Sequence, residues 1–357
     1  MDLANLGWGP AFEESFGIHR TNGFIAGRVA LEGKQAYVVV GEFGDRPCSI
    51  SGKLSHAIAK GSQLPKVGDW VALQLEPGDD RGTIHAVLAR QTKMTRKVPG
   101  RRVQEQVLAT NVDTAFVVLA MDQSFNLRRL ERFLLMIHEG GIQPVVVLNK
   151  ADLAKDAEEY TVAARRVAGT TPVLEASART GRGMQELRKW LRPRQTAVFV
   201  GTSGVGKSSL INKLYGEEIQ ATLEVRETDA KGRHSTTWRE LICLPNGSLV
   251  IDTPGMREFH MWVAEGGLDE TFPDIVALGI QCKFTNCGHV TEKGCAVLAA
   301  VSEGRFPKER YESYQKLRKE LDYLAVENRK HTYYRRAEKR RFEEAQGRRN
   351  VRWEEED

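Results

Sequence analysis

Residues 196–214 read Thr196-Ala-Val-Phe-Val-Gly-Thr-Ser-Gly-Val-Gly-Lys-Ser-Ser-Leu-Ile-Asn-Lys-Leu214: an apolar strand, a glycine-rich turn and the start of a helix. Gly201 to Ser208 match G-x-x-x-x-G-K-[ST] at every fixed position, in the strand–loop–helix context that this motif requires. Glycines let the backbone wrap phosphate oxygens, and successive N–H groups point inward at a helix N-terminus, where anions are favoured. The motif therefore places Gly201, Thr202, Ser203, Gly204, Val205, Gly206, Lys207, Ser208 and Ser209 around a nucleotide's phosphates. Lys207 is expected on the β and γ phosphates and the Ser208 hydroxyl on Mg²⁺.

The flanking chain fits that core. Upstream, Thr114-Ala-Phe-Val-Val-Leu-Ala, Pro144-Val-Val-Val-Leu and Pro172-Val-Leu-Glu-Ala are apolar strands. Helical patterns near 127–138, 158–167 and 184–191 separate them. Apolar strands alternating with helices predict a parallel sheet covered on both faces. Glu240 to Cys243 and Ser248 to Ile251, joined by Pro245-Asn-Gly, read as a strand pair that ends the sheet.

Two further motifs sit at predicted strand ends. Asp252-Thr-Pro-Gly follows Leu249-Val-Ile; Asp252 is placed to hold Mg²⁺ through water, and the Gly255 N–H to sense the γ phosphate. Asn149-Lys-Ala-Asp follows Val145-Val-Val-Leu. The Asp152 carboxylate can accept two hydrogen bonds from guanine, whereas adenine has no such donor pair, so ATP would leave a carboxylate unpaired. Asn149 is expected to brace the neighbouring loops, the Lys150 stem to lie along the base and Ala151 to complete the turn. Ser177 and Ala178, after the next strand, resemble a segment whose backbone contacts the guanine oxygen. The base motifs thus precede the phosphate motifs, the reverse of the usual order. A parallel sheet tolerates such a circular permutation when the old termini lie close together.

Ahead of this region, five candidate strands near 23–30, 35–40, 46–51, 69–75 and 83–88 suit a small barrel, with an OB-fold as the best match. Lys93, Arg96, Lys97, Arg101 and Arg102 form a basic exit from it. The chain has 357 residues, too many for one ordinary domain, and a net charge of only +5. Residues 329–349 nevertheless carry nine Lys or Arg against three Glu. Such a run fits RNA or, equally, a solvated helix face. No apolar run is long enough for a membrane span and no signal peptide is visible, so a cytoplasmic location is expected. Of the five cysteines, three crowd together as Cys282-x4-Cys287-x-His289-x5-Cys295. Three thiolates and one imidazole suit tetrahedral Zn²⁺, and four protein ligands leave no open position, so a structural site is expected. Past Glu265 the chain reads as irregular until a helix from about 308 to 324.

The permuted motif order, the N-terminal barrel, the run Gly232-Arg-His-Ser-Thr-Thr and the cysteine cluster together resemble the RsgA or YjeQ family of circularly permuted, small-ribosomal-subunit-dependent GTPases. The likeness runs over nearly the whole chain. One departure is Ser235, where the family usually has a third threonine; Thr236 and Thr237 keep the switch hydroxyls available, and either can serve as the Mg²⁺ ligand, with Thr236 taken as the candidate. The resemblance implies a late-acting factor in small-subunit maturation that binds the subunit and its rRNA and hydrolyses GTP to GDP. It also implies His234 as the catalytic residue, since Met256 stands where many GTPases carry a water-orienting glutamine. The expected organisation is an OB-fold domain with an N-terminal extension over 1–100, a permuted GTPase domain over 101–265 and an α-helical zinc domain with a basic tail over 266–357. One zinc per chain, Mg²⁺ with GTP and a monomer complete the expectation. An RNA-binding or chaperone module that uses GTP as a slow switch is the alternative; a P-loop ATPase is opposed by Asn149 to Asp152.

Overall fold

The computed structural model describes residues 2–33, 36–59, 63–76, 78, 80–98, 105–216, 239–252 and 266–330. A 3₁₀ turn (Leu3–Leu6) and α1 (Pro10–Thr21) precede the first strand. Five strands follow: β1 (Ile25–Glu32), β2 (Tyr37–Gly41), β3 (Gly44–Ile50), β4 (Trp70–Leu75) and β5 (Gly82–Val87), with α2 (Gly52–Ala59) between β3 and β4. They run in the order β1-β2-β3-β5-β4, and β4 pairs back onto β1, so the sheet closes into a five-stranded OB-type barrel. Closure removes the free edges of so small a sheet.

The N-terminal extension is a working part of that barrel. Phe12 and Phe16, one helical turn apart on α1, are buried and gather with Trp8 around the fully buried Trp70 of β4. The Trp8 and Trp70 rings meet edge to face at 4.7 Å. Arg28 of β1, 1% exposed, donates to the carbonyls of Leu6, Gly68 (3.2 Å) and Asn111 (3.0 Å), joining the extension, the barrel and the chain that leaves it. Burial pulls this guanidinium down to about 10, against the opposing charges of Asp113 and Asp69.

Strands β6 (Lys93–Lys97) and β7 (Glu105–Thr110) form a separate antiparallel pair, and the expected domain boundary at 100/101 falls between its two strands. The central sheet then runs β10 (Val173–Glu175), β9 (Gln143–Asn149), β8 (Thr114–Ala120), β11 (Thr196–Val200), β13 (Leu249–Asp252) and β12 (Arg239–Cys243). All are parallel except β12, which pairs antiparallel with β13. Alternation along β8 explains the two-sided burial. Ala115, Val117 and Leu119 pack with Leu130 and Phe133 of α3 (Leu127–Glu139) and Ala164 and Val167 of α4 (Ala157–Ala168). Phe116, Val118 and Ala120 face Met184 and Leu187 of α5 (Met184–Lys189) and Leu210 and Ile211 of α6 (Lys207–Tyr215).

The barrel and the central sheet are one eleven-stranded surface, because β12 also pairs with β1 at Leu31↔Glu240 and Glu32↔Arg239. An irregularity between Val29 and Leu31 marks the place where β1 exchanges its β4 neighbour for β12.

Beyond 265 the structure departs from the irregular reading. Three short helices, α7 (Gly267–Thr271), α8 (Pro273–Gly279) and α9 (Ala296–Ser302), precede α10, which occupies 308–330. Pro273 at the first position of α8 separates it from α7, and helices this short carry too few turns for periodicity to register. This C-terminal unit shares a core with α3: Leu135 and Met136 pack against Phe272, Ile275, Val297, Tyr314, Leu317 and Leu321. Arg310 of α10 sits inside that seam at 6% exposure. It pairs with Asp274, stacks over Phe272 at 4.7 Å and lies 3.6 Å from Glu131 of α3. Its remaining N–H groups reach the carbonyls of Val167 (3.2 Å) and Thr271 (3.1 Å). No helix among the described residues is long and apolar enough to cross a membrane.

Candidate functional site

The central sheet delivers its motif residues to one edge. Asn149 to Asp152 follow β9, Ser177 and Ala178 follow β10, Gly201 to Ser209 follow β11, and Asp252 closes β13. All four segments lie at the carboxyl ends of strands, the edge where open α/β sheets bind ligands. His234, Thr236, Thr237 and Gly255 lie outside the described residues, as do Arg101, Arg102 and the tail beyond 330.

The phosphate loop depends on glycine at Gly206, whose φ is +93° and where an added Cβ would stand 2.3 Å from Asn149 Nδ2. The loop therefore turns tightly and is held tightly. Lys207 folds back over it, donating to the carbonyls of Gly201 (2.8 Å) and Thr202 (2.9 Å). Val205 is buried beneath, and Ser203 and Gly204 form the exposed crest. Ser208 and Ser209 occupy the first turn of α6, at the end that attracts anions.

Asn149, 2% exposed, staples three loops together. Its Nδ2 donates to Val205 O at 2.8 Å, and its Oδ1 accepts from Ala178 N at 3.2 Å. Ala151 N donates to Ala176 O at 3.1 Å, which fixes the base loop against the Ser177 segment. Asp152 is exposed, and its Oδ1 accepts from the buried Ser177 hydroxyl at 2.6 Å. One carboxylate edge is thus oriented from within while the side chain faces outward. Lys150 adopts φ +63°, a conformation uncommon for a residue with a side chain, and its ammonium meets Asp122 at 2.9 Å.

Asp122 was not legible in the motifs. It stands just past β8, next to β9 in the sheet, and is brought to the base loop by strand order alone. Burial works to raise its carboxyl, but hydrogen bonds from Ser124 and Lys150 outweigh it and hold Asp122 below the ordinary carboxylate range.

The second assembly is the sulfur cluster. The ligand atoms of Cys282, Cys287, His289 and Cys295 all lie within 4.8 Å of one another. The Sγ atoms of Cys282 and Cys295 are 3.8 Å apart, and His289 Nδ1 lies 3.6 and 3.3 Å from them. A tetrahedral metal with bonds of about 2.3 Å to sulfur needs ligand separations of about 3.8 Å, so the donor set fits a metal ion. The surrounding chain fixes that geometry. Ala296 N and Leu298 N donate to the Cys282 and Cys295 sulfurs at 3.3 and 3.4 Å. Tyr311 and Gln315 of α10 donate to the His289 carbonyl, and Arg318 to that of Gly288. Glu292 accepts backbone N–H groups of Gly288, Val290 and Thr291, and those N–H groups hold its carboxyl down at about 2. None of these clamping residues belongs to the metal motif, so its spacing gave no sign of them.

Comparison with known proteins places the chain among GTPases. A family model described as RsgA GTPase matches residues 87–262, and one described as 50S ribosome-binding GTPase matches 196–329. The chain is 46% identical over 334 residues to the small ribosomal subunit biogenesis GTPase RsgA of Opitutus terrae, covering 91% of each. It is 44% identical over 310 residues to RsgA 2 of Lactiplantibacillus plantarum, covering 87% of each. Among solved structures, YjeQ from Thermotoga maritima aligns with a TM-score of 0.62 at 27% identity, over 84% of this chain and 98% of that one. YloQ, a circularly permuted GTPase, aligns with a TM-score of 0.60 at 27% identity, over 84% and 95%.

Proposed function

The chain belongs to the RsgA family of GTPases, and from that premise we propose that it is a GTP hydrolase that acts on the small ribosomal subunit late in its maturation and times its own release by hydrolysis. The observation that carries the reading is the Asn149 staple, which binds a phosphate loop, a base loop and the Ser177 segment into one rigid edge. In this reading the phosphates lie on residues 201–209, with Lys207 leaving the loop carbonyls for phosphate oxygens. Guanine is held by Asp152 and the Ala178 backbone, against the Lys150 stem. Ser208 and Thr236 would hold Mg²⁺, with Asp252 acting through water, and the ion would supply screening of the phosphate charge. His234 orients the attacking water, and Thr237 and Gly255 border the γ phosphate.

Zinc is the metal proposed for Cys282, Cys287, His289 and Cys295, because closed four-ligand sulfur-rich sets of tetrahedral spacing suit it. Its role is structural, holding the segment between α8 and α9 against α10. The partner proposed is the small subunit with its rRNA; basic residues at 93–102 and 329–349 support it. The protein is proposed to work as a cytoplasmic monomer, with the barrel, GTPase and zinc units divided near 100 and 265.

The test is GTP turnover with purified small or large ribosomal subunits. Slow basal hydrolysis accelerated at least tenfold by small subunits alone is expected. His234→Ala should keep GTP and subunit binding and lose most of the stimulated rate. Stimulation by large subunits instead would overturn the partner. Equal activity with and without subunits would favour the slow-switch alternative.

A further inference from the structure

We infer that Asp122 is a positioning residue for the guanine site: it fixes the Lys150 ammonium so that the lysine stem stays flat against the base. The inference rests on the base-site reading above and extends it to a residue outside every motif. Each Asp122 oxygen has its own task. Oδ1 accepts from the Ser124 backbone N–H at 2.8 Å and from the Ser124 hydroxyl, which fixes the carboxylate in a turn ahead of α3. Oδ2 accepts from Lys150 Nζ at 2.9 Å. The backbone beneath is also fixed, because Met121 N donates to Asn149 O at 2.9 Å and Phe125 N to Asp122 O at 3.0 Å.

A lysine at this position has two requirements. Its apolar stem must lie along an aromatic face, and its ammonium must stay solvated or paired beyond that face. It must also stay off Asp152, two residues away, whose carboxylate is needed for the base. Asp122 meets these requirements by giving the ammonium a partner just past the neighbouring strand β8, while Ser177 occupies one oxygen of Asp152. The uncommon backbone conformation of Lys150 points the same way: the side chain leaves a left-handed turn in a direction that the Asp122 contact closes. Preorganising a four-carbon chain before binding spares the nucleotide the entropic cost of ordering it.

The pair is about one third exposed on each side, so solvent screens its charge and a moderate effect is expected. In the full-length protein, Asp122→Asn cannot serve both tasks, because its amide would turn a donor toward either Lys150 or Ser124. The KM for GTP should rise about three- to tenfold with kcat little changed, since the contact is made equally in ground and transition states. Asp122→Glu, which keeps the charge, should recover KM to within about twofold and carries the same test should the Asn variant fold poorly. The decisive arm is the double variant with Lys150→Met. If Asp122 acts through Lys150, the KM of Lys150→Met/Asp122→Asn equals that of Lys150→Met alone. Multiplying losses, or an unchanged KM in Asp122→Asn while Lys150→Met is impaired, would overturn the inference and leave the base site standing. If Lys150→Met is also unimpaired, the base-site reading falls with it.

Discussion

Arg310→Met tests how firmly the C-terminal unit is built into the GTPase core. The substitution keeps an apolar stem of similar length against Phe272 and removes the guanidinium. Asp274 is partly exposed and can return to water, but Glu131 cannot, because its side chain is 4% exposed. Ser313 still donates to Glu131 and the Arg128 charge still acts on it, but the stronger opposing charge of Arg310 is gone. The cheapest response is for Glu131 to take up a proton. From an ordinary value of 4.5, protonation costs about 1.4 kcal/mol per pH unit, so the electrostatic loss is capped near 2 kcal/mol at pH 6 and 4 kcal/mol at pH 7.5. The Val167 and Thr271 carbonyls, each losing a donor, add about 1 kcal/mol apiece at either pH.

The direction with pH follows from burial, which raises the Glu131 carboxyl in the parent protein against the pull of Ser313 and Arg310. A carboxyl whose folded value is raised contributes stability that is complete below its unfolded value and is lost as pH rises through the folded one. Removing Arg310 raises it further, so the deficit of the variant is expected to grow with pH, and pH 6 and pH 7.5 are the points at which to read it. Urea unfolding of parent and variant at both values measures it, with hydrogen exchange on α10 locating the loss. Adding Glu131→Gln to Arg310→Met should abolish the pH dependence. A deficit below about 1 kcal/mol at both pH values, or one that does not change between them, would refute the buried-pair reasoning.

Three further outcomes follow from the sites. Asp152→Asn exchanges an acceptor for a donor and should move preference from GTP to xanthosine triphosphate by at least tenfold in kcat/KM, read in competitive turnover. Gly206→Ala places a methyl group against Asn149 Nδ2 and strains a turn at φ +93°, so nucleotide affinity should fall at least a hundredfold by fluorescence titration while the fold persists. Metal analysis should find one zinc per chain. Cys287→Ala should lose it and expose α8 and α9 to proteolysis, with GTP affinity kept within about threefold.

The sequence was most informative where chemistry is local. Gly201 to Ser208, Asn149 to Asp152 and the Cys282–Cys295 cluster each stand out within a few residues, and the structure brings the two loops to one edge and the four ligand side chains together. The five barrel strands were legible from turns and apolar runs. What escaped notice depends on distant pairing. The β6–β7 ribbon is rich in Lys, Arg, Glu and Gln, so its charges read as a basic exit rather than as strands. On α1, Phe12 and Phe16 show only two apolar points of a helical face, and their partner Trp70 lies on β4. Asp122, Glu131 and Arg310 owe their positions to the order of strands and the crossing of α3 by α10. No spacing rule encodes those relations.

The pairing of β12 with β1 also sets an order of events during synthesis. The barrel emerges from the ribosome first, and its closure by β4 needs only residues close at hand. The last residues of β1, Leu31 and Glu32, then wait with one side unpaired until β12 is made, after nearly the whole central sheet. The longest-range strand pairing among the described residues is therefore also a late one, and loop-closure entropy makes it slow. Until it forms, a nascent chain carries a finished barrel beside an unfinished sheet, with an open strand end on each. In that interval the open end of β1 is a place where the β12 of a second copy has the right register to pair.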